Sequence, residues 1–252
     1  MFVISDMQLD GIGSELWRTL LQDLINLVQQ QFPPHVEALS DIELYTAIET
    51  IAARGADLGF LRDDEIEHWV ELSIIFGAFF DSDRSMAWAG ELLADPAFAL
   101  SSEKLDFLDN AVRLYSMDVF EDEYGAVSQA ALERFADLLG DRLPDKRALQ
   151  DPAALMRRIW PEKFDASDPG DLTAFLSAVQ QLAGHHGFDQ PGFQARFAVL
   201  AFMLGHRFDI DPLFPSLRTV LAETHQDQHA RLLDLQQRAL SDVVNPRLSW
   251  AR

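Results

Sequence analysis

The chain has 252 residues, 48% of them apolar and 24% charged, enough for a sizeable core in one large or two small domains. Asp and Glu outnumber Lys and Arg by 41 to 20, and the net charge of −21 argues against both nucleic-acid binding and docking on anionic lipid. The absence of Cys excludes disulfides, thiolate nucleophiles and Cys-ligated zinc or iron–sulfur sites.

The N-terminus carries Asp6 and Asp10 and no basic start, unlike a secretory leader. The longest apolar runs, Ile74–Phe80 and Phe197–Leu204, fall far short of the ~18–20 residues of a spanning helix. A cytoplasmic protein is expected. Leu16, Leu20, Leu24 and Val28 recur at four-residue spacing and predict a helix over 16–31 that stops before Pro33-Pro34. Ser40 with Glu43 three residues on predicts a capping box and a helix over 40–56. Asp63, Asp64 and Glu65 suit the positive end of the next helix, 63–79. Further helices start after Asp83 and after Ser101 or Ser102. Others fit 126–140, 145–158, 170–184, 190–206, 212–224 and 226–241. No segment alternates in the manner of a strand, so the expected fold class is all-α without a sheet.

A shift of 128 residues aligns 40–112 with 168–240 without gaps and gives 13 identities in 73 positions, among them Leu44/Leu172, Leu72/Leu200, Leu105/Leu233 and Ala111/Ala239. The clustering of matches matters more than their number. Gly-x-x-Phe-Asp-x-Asp occurs as Gly77, Phe80, Asp81, Asp83 and again as Gly205, Phe208, Asp209, Asp211. Two tandem related helical modules are therefore expected, an acidic one over 1–120 and its repeat over 121–252. The helix at 126–140 is a candidate counterpart of 16–31, at a different offset. In each motif the glycine would let a neighbouring helix approach, the phenylalanine would end a buried stripe, and Asp83 or Asp211 would cap the next helix, with Pro212 at its first position. An Asp-x-Asp cation site is the rival reading, but the further oxygen ligands and glycine of a calcium loop are missing.

Phe32-Pro33-Pro34, Leu44–Ala56, Gly59-Phe60, Trp69–Asp83 and Trp88-Ala89 together resemble a family of helical accessory proteins encoded beside the spike, tip and toxin genes of bacterial type VI secretion systems. The family pattern reads FG-x-x-FD-x-DP-x-x-PWA. Here Phe76-Gly77, Phe80-Asp81, Asp83 and Trp88-Ala89 match it, while Arg84 and Ala87 stand where proline is usual. The second copy has Asp211-Pro212 and Pro215, but Ser216 replaces the tryptophan. The likeness covers about the first 115 residues well and the second copy loosely. It implies a non-enzymatic role: helping a toxin fold, loading it on the spike, or neutralising it.

The chemistry of catalysis is sparse. His225 and His229 are spaced for one helix face and His185-His186 could join them as zinc ligands, but Gln226 follows His225 and no HExxH motif exists. Nucleophile-elbow and phosphate-loop motifs are absent from the sequence. No cofactor and no metal site is expected. The sharper signal is charge asymmetry. Residues 1–126 hold 6 basic and 25 acidic residues, whereas 127–252 hold 14 and 16. Asp63, Asp64, Glu65 and Glu67 at one helix start, with Glu121, Asp122 and Glu123 at the seam, are the candidate contacts for a basic protein partner. The leading expectation is a non-catalytic chaperone or adaptor for a secreted toxin or spike-tip protein. An immunity protein, including one that mimics nucleic acid against a nuclease toxin, is the second. A helical metal-dependent enzyme is the third.

Overall fold

The computed structural model describes residues 6–98, 100–120, 126–139, 150–223 and 227–244. Among them the chain is all-α, with thirteen α-helices, short 3-10 and π turns, and no strand. The helices are α1 (Asp6–Gln31), α2 (Pro33–Val36), α3 (Asp41–Asp57), α4 (Asp63–Phe76), α5 (Ala87–Ala94), α6 (Ser101–Val119) and α7 (Ala126–Leu139). They continue as α8 (Pro152–Ile159), α9 (Pro161–Ala166), α10 (Pro169–His185), α11 (Pro191–Leu204), α12 (Pro215–Ala222) and α13 (Gln228–Arg238), which runs into a π turn over Ala239–Val244. No helix among the described residues is long and apolar enough to cross a membrane.

The element boundaries have local causes. Ser40 and Glu43 form the predicted capping box at α3, and Asp168 caps α10 by accepting from Gly170 N at 2.7 Å, with Pro169 behind it. The expected helices 63–79 and 190–206 end earlier, at Phe76 and Leu204. The next residues, Gly77 and Gly205, sit at φ +102° and +104°, where side chains are disfavoured. The helix placed at 212–224 starts at Pro215, because Pro212 lies in the preceding turn and Pro215 takes the first helical position. Likewise Asp83 caps a 3-10 turn, Arg84–Met86, before α5 begins. Two short helices, α2 and α9, escape periodicity because each is under two turns. Each opens on a proline after an aromatic, Phe32-Pro33 and Trp160-Pro161.

Elements recur at an offset of 128. Helices α3 and α10, α4 and α11, and α5 and α12 begin and end that far apart, α2 and α9 begin so, and α1 and α8 end so. By this offset the match to the last two turns of α1 is α8, not the helix at 126–140, and no second offset is needed. Local packing recurs as well. Trp69 lies between Phe60 and Phe80 at 5.6 and 5.0 Å, and Phe197 lies between Phe188 and Phe208 at 5.5 and 5.0 Å. All six rings are fully buried, at an arrangement favourable for aromatic pairs. The buried side chains of both halves form one continuous cluster. Helix α6 packs on α9, and the start of α10 packs on the 3-10 turn at Arg84–Met86, where Ser167 Oγ donates to Ser85 O at 3.2 Å.

Candidate functional site

The two Gly-x-x-Phe-Asp-x-Asp motifs meet across the halves. One carboxylate oxygen of Asp83 accepts from Ser85 N (2.8 Å) and Ser85 Oγ (2.9 Å) in its own turn. The other accepts from His206 N, just after Gly205, at 2.9 Å. Asp211 answers in kind: Oδ1 accepts from Leu213 N and Oδ2 from Ala78 N, just after Gly77, each at 2.9 Å. Each aspartate thus braces its own turn with one oxygen and the opposite glycine turn with the other. The glycines serve this approach. A Cβ on Gly77 would lie 3.3 Å from Leu204 O and 3.4 Å from Asp211 Oδ2.

These carboxylates are buried, so their charge must be compensated from within. Burial alone would push the Asp83 carboxyl up. The hydrogen bonds from His206 and the charges of Lys163 and His206 outweigh it and hold the group below its ordinary value. Lys163 is equally enclosed, and burial lowers its pKa although Asp83 opposes the shift. Its ammonium donates to Phe202 O at 2.7 Å and lies over the rings of Phe202 and Trp160 at 4.8 and 5.5 Å. Tyr115 packs against Trp88 and Phe76, and burial, with Asp83 nearby, raises its phenol far above its usual range. The preceding aspartates hold helices: Arg54 grips Asp81 bidentately at 2.6 and 3.1 Å, and His186 reaches Asp209 at 3.2 Å. The second aspartate of each motif is therefore spent on backbone N–H groups of both halves, and the first on a side chain of a preceding helix.

The acidic candidates separate by exposure. Asp63, Asp64 and Glu67 face solvent at the start of α4, although Arg62 pairs bidentately with Asp64 at 2.7 and 3.0 Å. Glu65 does not share that surface. It is 5% exposed and accepts from Leu61 N, Arg62 N and Ser101 Oγ at 3.0, 3.2 and 2.7 Å, joining α4 to α6. Burial opposes its ionisation, but these donors prevail and lower its pKa. Glu121, Asp122 and Glu123 lie outside the described residues.

His185 and His186 have neighbouring rings at 5.4 Å, His229 lies against Phe193 at 6.1 Å, and His225 is outside the described residues. Among the described residues no group of three or more His, Asp or Glu side chains is arranged to hold a metal ion.

Of two surface features, a groove between the modules is expected from the sequence, as apolar and without named residues, and the other is not. An open cleft of about 240 Å³ lies between the halves, lined by Pro34, His35 and Leu39 on one side and Leu213, Pro215 and Thr219 on the other, with Glu43 and Arg238 at its edges. The second is an apolar row on the outside of α6: Phe107, Leu114 and Met117 are 50%, 49% and 61% exposed. Their seven- and three-residue spacings were the available signal, masked by the stronger inner stripe of Leu105, Leu108 and Tyr115.

Comparison with protein-family models, with curated proteins and with solved structures gives no match.

Proposed function

We propose that this chain is a non-catalytic, protein-binding chaperone or adaptor for a type VI secretion toxin or spike-tip protein, working in the bacterial cytoplasm. The observation that carries the reading is the placement of charge. The first half holds 25 of the 41 acidic residues, and Asp63, Asp64 and Glu67 stand exposed together on it. The buried acids Asp83, Asp211 and Glu65 are occupied with backbone donors instead. An exposed acidic face accelerates encounter with a basic partner, and its pull is screened over about 8–10 Å at physiological salt. The secretion context rests on the motif resemblance.

The test is recovery of the bound protein from a bacterium expressing the tagged chain, then association kinetics of that pair. Converting Asp63, Asp64 and Glu67 to Lys should slow association and flatten its salt dependence, with circular dichroism unchanged. An unaltered on-rate would assign the charge to solubility. An immunity role is the second reading, favoured by the same acidic face. It predicts that a recovered toxin is inactive in the complex, whereas an adaptor leaves it active or unfolded for delivery.

A further inference from the structure

Helix α6 has two apolar faces but covers one. Leu105, Leu108, Tyr115 and Val119 are buried inward. Phe107, Ala111 and Leu114 follow each other outward at four- and three-residue steps, with Met117 one turn further. Phe98 stacks on Phe107 at 4.3 Å and extends the strip before the helix. Single exposed apolar side chains are ordinary, but a contiguous row along three turns marks a contact surface.

The second half of the molecule has an answer to the same problem. Leu235 and Ala239, 128 residues beyond Phe107 and Ala111, are fully buried on α13 and the turn after it. Helix α7 packs on α13 and buries its own Ala131, Phe135 and Leu138. Shifted back by 128 residues, the end of α7 falls on Asp6–Gly11 of α1, and α1 packs on α2, α3 and α4. The rim of the open face is acidic: Glu103, Asp106 and Asp118 are exposed around it, against Lys104 and Arg113, while Asp109 is paired with His68 of α4.

We propose that the outer face of α6, from Phe107 to Met117, receives an amphipathic helix with a basic rim from the partner protein, lying where α7 lies in the other half. The inward residues of this helix would be of the α7 kind, small and large apolar side chains one turn apart, and its flanking Lys or Arg would meet the acids at 103, 106 and 118. This deepens the adaptor reading by naming the form that the partner offers.

The probe is a fluorescent peptide of residues 126–139 carrying Glu133→Lys and Asp137→Lys, titrated with the full chain and followed by anisotropy. Saturable binding at low salt is expected, weakened at least about tenfold by Phe107→Ser with Leu114→Ser, a loss of roughly 1.4 kcal/mol. The unmodified peptide should bind less well, and the gap between the two should close at high salt. Because both substituted side chains are half exposed, the double variant should keep its thermal midpoint, which separates lost binding from lost folding. No binding, or equal binding to the double variant, overturns the proposal. So does a concentration-dependent dimer of the chain that the double variant abolishes, which would give the face to a second copy. The peptide assay needs no secretion partner, so its failure leaves the acidic adaptor reading standing, and its success does not depend on that reading.

Discussion

At the scale of single residues, the fold turns on two glycines and two aspartates. Gly77 and Gly205 hold φ above +100° with ψ near 150°, a region populated almost wholly by glycine, and each sits beside the opposite half. Gly77→Ala should cost about 1–3 kcal/mol in urea denaturation. Gly184→Ala is the control: it lies within α10 with open space where its Cβ would go, and should be neutral or stabilising by about 0.5–1 kcal/mol. Equal effects at the two sites would mean that the Gly77 turn tolerates a side chain. Asp83 gives a pH signature. Its folded pKa lies below its ordinary value of 3.8, so its stabilising contribution is complete above that pH and is lost as pH falls through the lower folded value. Asp83→Ala removes the acceptor from His206 N, Ser85 N and Ser85 Oγ and takes away the nearby charge that offsets the burial of Lys163, which should cost at least about 1–3 kcal/mol near neutrality. The stability gap between variant and wild type should narrow below about pH 4. A gap constant down to pH 2 would show that Asp83 acts by packing and not by charge.

At the scale of elements, capping explains more than periodicity does. Glu65 closes the start of α4 through Leu61 N and Arg62 N and ties it to Ser101 on α6. Glu65→Ala should therefore lower stability by about 1–2 kcal/mol, while exposed Glu67→Ala should stay within about 0.5 kcal/mol in the same thermal melts. Identical melts would return Glu65 to the surface group in which its sequence neighbours place it. That grouping shows what the sequence could and could not tell. The stripes of α1 and α3, the Ser40 box and the all-helical class were legible because each depends on neighbours within four residues. The glycine–aspartate motif was legible as a repeat, and its capping of the following turn was readable too. Its second bond was not, because Ala78 and Asp211 stand 133 residues apart and only the docked halves bring them together. Charge in a run of acids says nothing about which member turns inward. Glu65 does so because it is the residue at the third helical position, where a carboxylate reaches the open N–H groups of the helix start. Helices α2 and α9, each under two turns, are too short for any period, and only the aromatic–proline pair that opens each marks them.

At the scale of the whole molecule, the halves are chemically unequal but mechanically tied. Surface charge is concentrated in the first, while each half supplies a buried carboxylate that the other needs. If the halves parted in water, Ala78 N and His206 N would find solvent, but Lys163 would lose the nearby charge of Asp83 and the shared apolar surface of one continuous core would be exposed. Opening one half should therefore destabilise the other, and the protein should unfold as a unit in spite of its repeated plan. Native-state hydrogen exchange is the measurement. The slowest amides of α3 and α4 should report the same opening free energy as those of α10 and α11, within about 1 kcal/mol, because the most protected sites of a cooperative unit exchange only through its global unfolding. Asp83→Ala should lower both sets together. Two sets separated by several kcal/mol in the wild-type chain, or an Asp83→Ala effect confined to α3 and α4, would mean that the crossed carboxylates merely seal a boundary between independently stable modules. Unit behaviour also bears on the binding surface: a partner seated on α6 would then stabilise α10 and α11, more than one helix away, by the same increment as its own half.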